Sequence, residues 1–297
     1  MSDLLGKLRG LRSQAGVAAA PARKAVPADL RRLLSTRQRH GGTLPSAQDR
    51  HVPGLEIAPG LCLVETLYEW PAPPAVLDVR FAKIDAPIAR ERLLHFDTET
   101  TGLAGGTGTR AFMIGAADWV GTRLRLRQLT ITSLSAESAM LRHFAGWLDT
   151  ETVLVSYNGK CYDAPLLATR YRLARLANPL AGLLHVDLVH PVRRRWKGAW
   201  ENCRLATTER QLLGVVREDD LPGAEAPAAW LSYLRGGPAT NLRRVGEHNA
   251  QDLKSLAGVL RYMEGMGSVG PLTPALSPGE AEGEGAHGGK PQYFALA

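Results

Sequence analysis

The stretch His95–Ala104, with the sequence HFDTETTGLA, decides the fold of this chain. It closes an apolar run that begins at Leu93, and it places Asp97 and Glu99 two residues apart. Alternate residues of a β-strand share a face, so this spacing predicts that the two carboxylates project together. At about 4 Å two such charges repel by about 4 kcal/mol at an effective dielectric of about 20. A fold that keeps this pair usually holds a cation there, and all-oxygen ligands suit Mg²⁺ or Mn²⁺.

An isolated Asp-x-Glu is usually a solvated strand end, so its interpretation depends on a second segment, residues 153–163. Its sequence, VLVSYNGKCYD, predicts a short buried strand, an Asn-Gly turn and then a helix over Ala164–Ala177. Asp163 opens that helix. By itself, Asp163 is equally well explained as the helix N-cap.

A third segment, Glu247–Leu253 with the sequence EHNAQDL, lies in a predicted helix that runs to about Met263. His248 and Asp252 are four residues apart, one helical turn, so they share a face. Such a pair is also typical of an ordinary helix surface. The three segments together supply four acids, each at the end of a regular element, and this combination indicates a functional site.

The three segments resemble a known family. FDTETTGL, NGKCYD and HNAQD are similar to the three exonuclease motifs of the DEDD superfamily, the DnaQ-like 3′–5′ exonucleases with an RNase H-like fold. GLAGGTGTRAF, HVDLVH, LLGVVREDDLPG and EHNAQDLKSL resemble its bacterial YprB-like branch. The resemblance runs from about Arg90 to Met263.

The resemblance implies phosphodiester hydrolysis with two divalent ions, Mg²⁺ or Mn²⁺. It implies that Asp97 bridges both ions, that Glu99 and Asp252 bind the first, and that Asp163 holds the second through water. His248 is the expected general base. One departure affects this role, because the histidine subclass places its base five residues before the last Asp, whereas the gap here is four, as in the tyrosine subclass.

The predicted fold class is α/β, an RNase H-like mixed sheet with an antiparallel meander plus parallel strands, flanked by helices. Strands are expected over 93–96, 111–120, 123–131, 153–156 and 185–189, with a helix over 136–148 before the fourth. The expected organisation is a basic, flexible segment over 1–50, a small β-rich accessory segment over 51–89, the nuclease domain over 90–263 and a disordered Pro/Gly/Glu-rich tail over 264–297.

The net charge of +7 is concentrated in residues 1–50 and 160–217, which suits a nucleic-acid partner. Arg194 and Trp196 are the expected substrate contacts there, with the arginine on phosphate and the indole on a base. The alternative is a helix whose tryptophans pack inward. Asn158 and Leu103 are further expected substrate contacts, and Asn158 is equally a residue that shapes its turn.

Several other functions are not supported by the sequence. The letters GTGTRA fit a dinucleotide fingerprint, but a β-like segment rather than a helix follows them. No phosphate-binding GKS/T loop, zinc-type cysteine pair or membrane-length apolar run is present, and no membrane partner is expected. The N-terminal residues do not resemble a secretory signal, and the three cysteines suggest reduced thiols and a cytoplasmic location.

The predicted function is therefore a metal-dependent nuclease, foremost a 3′–5′ exonuclease acting on a single-stranded 3′ end of DNA or RNA. The alternatives are an endonuclease that uses the same metals and a catalytically silent nucleic-acid-binding module. Asp187, Asp219 and Asp220 lie in family-like segments, and the sequence indicates only caps or loop residues at these positions.

Overall fold

The protein is described by a computed structural model that covers residues 49–102, 107–218 and 220–267. Most strands belong to one seven-stranded mixed sheet with the order β1-β2-β7-β6-β5-β8-β9, while β3 and β4 form a separate pair. The strands are β1 Leu55–Ala58, β2 Leu61–Glu69, β3 Val76–Leu77, β4 Ile88–Ala89, β5 Leu93–Thr100, β6 Ala111–Val120, β7 Arg123–Ile131, β8 Val153–Ser156 and β9 Leu184–Asp187. The helices are α1 Glu137–Ala145, α2 Asp163–Leu173, α3 Val189–Trp196, α4 Leu205–Leu213, α5 Ala226–Leu234 and α6 Thr240–Gly267.

The predicted meander is confirmed, because β5, β6 and β7 pair antiparallel in chain order. The predicted parallel strands are also confirmed, since β8 pairs parallel with β5 and β9 pairs parallel with β8. Strand β5 continues through both acids to Thr100, whereas only residues 93–96 were predicted as strand. Helix α2 ends at Leu173, earlier than the predicted Ala177, and Arg175 just beyond it has a left-handed φ of 57°.

Residues 51–89, expected as an accessory segment, contribute two strands to the main sheet. β2 pairs antiparallel with β7 along its whole length, from Leu61 opposite Ile131 to Glu69 opposite Arg123. The structure thus places no sheet boundary at residue 90. The prolines that suggested a separate unit all lie outside β1 and β2, before β1, between the two strands or around the short β3 and β4 pair, so they leave the longer ladder intact.

The expected end segments fall mostly outside the described residues. Asp49 and Arg50 are described: Asp49 forms an ion pair with Arg243 at 2.8 Å, and the Arg50 guanidinium donates to the Tyr233 carbonyl oxygen at 3.0 Å. At the other end, α6 extends to Gly267, four residues into the expected tail. In the part of the chain that is described, no helix is long and apolar enough to span a bilayer.

Two hydrophobic clusters cover the two faces of the sheet. On β5, Leu94 and Phe96 belong to the first cluster and Leu93 to the second, as strand alternation requires. Helices α1, α2 and α5 contribute to the first cluster, and α3 and α4 to the second. Helix α6 joins both, because its residues up to Val245 pack in the first cluster and those from Leu253 onward pack in the second. The segment between these two contacts carries His248 and Asp252.

Candidate active site

The first acid pair lies on β5, directly opposite β6. Asp97 is the register partner of Gly115, and Glu99 is the partner of Met113. A glycine is required at 115, because a Cβ there would lie 2.0 Å from Oδ1 of Asn249. Asn249 is fully buried and its Nδ2 donates to Oδ2 of Asp97 at 2.9 Å. The missing side chain on β6 thus lets α6 approach close enough to position Asp97.

The amide of Asn249 is itself held in place by β7. Nε2 of Gln128 donates to Oδ1 of Asn249 at 2.9 Å and to the Gly246 carbonyl oxygen at 2.7 Å. Because Oδ1 accepts this bond, the NH₂ group of Asn249 must face Asp97. Through this chain of hydrogen bonds, residues of β7 and α6 fix the orientation of the Asp97 carboxylate on β5.

Asp163 joins the site at the start of α2. Oγ1 of Thr98, which lies between the two acids of β5, donates a short hydrogen bond to Oδ1 of Asp163. The N-cap position belongs to Tyr162, and no side-chain cap bond is formed there. The structure therefore does not support the N-cap explanation of Asp163, because the carboxylate is directed to β5 instead of its own helix.

The turn before α2 is organised by Asp187 at the end of β9. Asp187 is buried, and its carboxylate accepts the backbone N–H of Asn158 at 2.6 Å and that of Lys160 at 3.0 Å. Asn158 has a φ of 68°, in the left-handed region that asparagine tolerates. At the next position a Cβ on Gly159 would lie 2.5 Å from Oγ of Ser156 and 3.1 Å from Oδ2 of Asp163, so this residue must be small.

The fourth acid, Asp252, lies on α6 with His248 one turn before it. Nε2 of His248 is 3.7 Å from Oδ2 of Asp252. The other oxygen of Asp252 accepts a short hydrogen bond from Nη2 of Arg217, in the loop after α4. The same guanidinium is bound bidentately by Glu209, with Nε to Oε1 at 2.5 Å and Nη2 to Oε2 at 2.9 Å. Arg217 therefore joins α4 to α6 through two carboxylates.

Burial and mutual repulsion raise the pKa values of the acids. Burial is the largest cause in each case, and it raises the pKa of Glu99 to about 8 and that of Asp163 to about 6. The pKa of Asp97 is raised well above its usual value by burial and by the charges of Asp252, Asp163 and Glu99. Burial also raises the pKa of Asp252, although Arg217 and His248 oppose this shift.

His248 and Asp220 have pKa shifts of the opposite kind, which favour their charged forms. Burial opposes the charge on each, but their mutual hydrogen bond and the neighbouring charges outweigh it. The pKa of His248 is therefore raised, with Asp252 the strongest charge acting on it, and the pKa of Asp220 is lowered.

The donor set fits a hard divalent cation better than a soft one, because the four acids supply only carboxylate oxygen. Burial raises their pKa values even where Arg217 and His248 oppose the shift, and a bound cation would favour the ionised acids. Across the described ranges, no three His, Cys, Asp or Glu side chains converge closely enough to hold an ion as they are placed. Asp252 shares its carboxylate with Arg217 in this arrangement.

Two of the expected substrate contacts, Arg194 and Trp196, make contacts within the protein. Trp196 stacks on Trp200 with ring centroids 4.6 Å apart and the planes 9° from parallel, and both rings pack against the second hydrophobic cluster. Nη2 of Arg194 donates to the Phe81 carbonyl oxygen. Both predicted side chains are thus engaged within the protein in this structure. Leu103 lies outside the described residues, as does Asp219.

Sequence reasoning missed five residues that position the site. Asp187 and Asp220 were noted without a role, because only the fold shows which groups they accept. Arg217 and Glu209 lie in or near the family-like segment LLGVVREDDLPG. The signal in the sequence is an acid eight residues before an arginine, and only the fold shows that this acid is buried. Asn249 stands inside the last motif, but its partners, Asp97 and Gln128, are more than a hundred residues away.

The fold and the acids define a class of protein. The family model described as RNase_H_2 of the RNase_H superfamily matches residues 94–264, so the chain belongs to the RNase H superfamily. It is 36% identical over 175 residues to a Bacillus subtilis (strain 168) protein, the uncharacterized protein YprB. That alignment covers 59% of this chain and 42% of YprB, so the chain matches less than half of this relative.

One match among solved structures is a family B DNA polymerase from the hyperthermophilic archaeon Pyrobaculum calidifontis. The two chains share 17% sequence identity with a TM-score of 0.45. The match covers 56% of this chain and 24% of the polymerase.

Proposed function

We propose that this chain is a divalent-metal-dependent nuclease that hydrolyses phosphodiester bonds from the 3′ end of single-stranded DNA or RNA. The observation that carries the proposal is that Asp97, Glu99, Asp163 and Asp252, four carboxylates from three separate elements, lie near enough for the charges of the other three to raise the pKa of Asp97. Buried like charges are costly unless a cation or proton compensates them. Metal binding would explain why this member of the superfamily has all four carboxylates.

Each residue has a distinct task in this proposal. The four acids would hold Mg²⁺ or Mn²⁺, which when bound lowers the pKa of water and stabilises charge on phosphate oxygens. Asn249 holds the Asp97 carboxylate in a fixed orientation, and the turn bound by Asp187 places Asp163. His248, with Nε2 directed towards Asp252, would accept the proton of the attacking water.

The test is cleavage of 5′-labelled single-stranded DNA and RNA oligonucleotides with Mg²⁺, with Mn²⁺ and with EDTA. We expect a metal-dependent ladder that shortens from the 3′ end. Asp97→Asn should reduce the rate at least about 10³-fold, because a metal ion supplies several kcal/mol of transition-state stabilisation. His248→Ala should reduce it by about 10² or more.

Other outcomes would select a different function. Discrete internal cuts would indicate an endonuclease that uses the same acids. Salt-sensitive binding without cleavage, unchanged in Asp97→Asn, would indicate a nucleic-acid-binding module. Wild-type rates from a folded Asp97→Asn protein would refute the metal-holding role of the acids.

A further inference from the structure

The loop between α4 and α5 places a carboxylate against the inner nitrogen of His248. Nδ1 of His248 lies 2.8 Å from Oδ1 and 2.9 Å from Oδ2 of Asp220. It also lies 3.2 Å from Nη1 of Arg217. The side chains of His248 and Asp220 are 17% and 27% exposed, so water competes only weakly for this contact.

These contacts determine which nitrogen carries the proton. An ionised carboxylate can only accept, so the short contact with Asp220 requires a proton on Nδ1 of His248. Arg217 can only donate, and its longer contact would require a lone pair on the same atom. Nη1 of Arg217 also lies 3.1 Å from Oδ2 of Asp220, where it has an acceptor of its own. With a proton on Nδ1, both His248 and Arg217 donate to Asp220. With the proton on Nε2 instead, the lone pair of Nδ1 would face a lone pair of the Asp220 carboxylate.

The same orientation leaves Nε2 of His248 as the nitrogen that faces the acids. At 3.7 Å from Oδ2 of Asp252, Nε2 is beyond hydrogen-bond distance, so no hydrogen bond to Asp252 requires a proton on Nε2. Gly223, in the same loop, lies beside this nitrogen, and a Cβ there would be in ordinary van der Waals contact with Nε2 at 3.9 Å. An imidazole held in this way can accept a proton on the side of the acids.

The carboxylate of Asp220 is itself fixed in place. Arg217, three residues before it, binds it through Nη1 and is anchored by Glu209, whose side chain is 1% exposed. Oγ of Ser255 on α6 donates to Oε2 of Glu209 at 2.5 Å. Moving Asp220 away from His248 would therefore break its ion pair with an arginine that a buried acid holds in place.

We propose that Asp220 is the positioning residue of His248: it accepts Nδ1–H, fixes the ring and leaves Nε2 free to accept a proton at the acid cluster. The catalytic consequence rests on the proposed nuclease function, whereas the tautomer and the ring orientation do not. When Nε2 takes a proton from the attacking water, the imidazolium that forms lies against the negative charge of Asp220. The contact with Asp220 thus allows His248 to act as the base, although it stands four residues before the last acid.

The decisive variant is Asp220→Asn, which keeps the shape but presents an amide that can donate to Nδ1. We expect the variant to shift His248 towards the Nε2–H tautomer and to lower kcat by about 10²- to 10⁴-fold. KM should change less than about threefold, because substrate binding does not depend on the tautomer. Asp220→Glu should restore part of kcat. Glu218→Gln, an exposed charge in the same loop, should have wild-type kcat.

The tautomer is measured directly, without substrate, by long-range ¹H–¹⁵N NMR of the full chain labelled with ¹⁵N-histidine. The signal of His248, one of 8 histidines, is assigned by its loss in His248→Gln. Above the titration of His248, the wild type should show a protonated Nδ1 and an unprotonated Nε2. A wild-type spectrum with Nε2 protonated would overturn the proposal, whether or not any variant folds.

The two proposals fail in different ways. If wild type cleaves nucleic acid and Asp220→Asn changes neither the tautomer nor kcat, the positioning role is wrong and the nuclease function stands. If no substrate is cleaved but the tautomer changes in Asp220→Asn, the positioning of His248 is supported and the nuclease function is refuted.

Discussion

The two halves of the candidate site differ in how the negative charge of their acids is compensated. The first half, here called the strand half, consists of Asp97, Glu99 and Asp163, which lie on β5 and at the start of α2. The side chains of Thr98 and Asn249 donate hydrogen bonds to carboxylates of this half. The helix half consists of His248 and Asp252 on α6, where Arg217 donates to Asp252. In the described structure, one half holds acids without a cationic partner, and the other includes its own guanidinium.

This difference indicates which half depends on an added cation. In the strand half, burial raises the pKa of Glu99 to about 8 and that of Asp163 to about 6, so holding both as carboxylates at neutral pH costs free energy. In the helix half, Arg217 and His248 oppose the rise in the pKa of Asp252. We therefore expect the strand half to respond to metal and pH, and the helix half to respond to loss of its internal ion pairs.

The largest effect on stability is expected from Glu209→Gln, which removes the anchor of the helix half. Breaking a buried ion pair by removing one partner costs about 3–5 kcal/mol, because the remaining charge is left unpaired. Glu209 binds Arg217 with both oxygens, and its side chain is 1% exposed. Urea denaturation should show a free energy of unfolding lower by this amount.

The matched control is Glu201→Gln, which removes the partner of Arg210. In that pair the side chains are 51% and 49% exposed, so water replaces the lost contact and no measurable change in stability is expected. Equal effects from the two variants would contradict the view that the helix half depends on a buried internal cation.

The sequence identifies the acids because their signals are local. Asp97 and Glu99 are recognised from a strand period of two, and Asp163 and Asp252 from short segments at element ends. The strands of the meander and the strand over 153–156 are confirmed by the structure, since the apolar residues of a buried strand indicate it locally.

The supporting residues could not be found in this way, because their roles depend on long-range contacts. Gly115 is required because Asn249 and Leu253, from a helix far along the chain, pack against β6 at that point. Arg217 reaches Asp252 across 35 positions. Similarly, β2 is recognisable as a strand, but only the structure shows that it pairs with β7. A sequence pattern gives the type of an element and not its neighbours.

The second prediction concerns pH and the strand half. A carboxyl whose pKa is raised on folding binds its proton more tightly in the folded state, so stability falls as pH rises from the unfolded pKa to the folded one. For Asp163, a rise from 3.8 to about 6 corresponds to roughly 3 kcal/mol. Without metal, the free energy of unfolding should therefore decrease between about pH 4 and about pH 8, the range that also includes the pKa of Glu99.

Urea denaturation in EDTA and in Mg²⁺ across this range tests the prediction. Mg²⁺ should reduce the decrease, since a bound cation favours the ionised acids. The raised pKa of His248 contributes a decrease of the same sign, so Asp97→Asn is the variant that isolates the strand half. It should flatten the curve in EDTA by removing one of the repelling charges. A stability that rises with pH in EDTA would show that the acids are not destabilising when ionised.

The smallest expected effect comes from Asn158→Gly, in the turn that places Asp163. Glycine adopts a φ of 68° freely, and the backbone N–H that Asp187 accepts remains, so stability should change by less than about 0.5 kcal/mol. If the Asn158 side chain contacts substrate, one of the two roles expected from the sequence, losing one hydrogen bond should lower kcat/KM about 3- to 10-fold. The measurement is cleavage of the preferred oligonucleotide.

Asn158→Ala provides the comparison that separates contact from shape. Alanine also lacks the amide, but its Cβ is disfavoured in the left-handed region, so the turn should lose about 1 kcal/mol. If both variants lose the same activity, the amide acts on substrate. If only the alanine variant loses activity, Asn158 shapes the turn and the predicted contact is wrong. In that case the backbone hydrogen bonds that Asp187 accepts place Asp163 in the strand half. Substitution of Asp187 would then be the next test of this geometry.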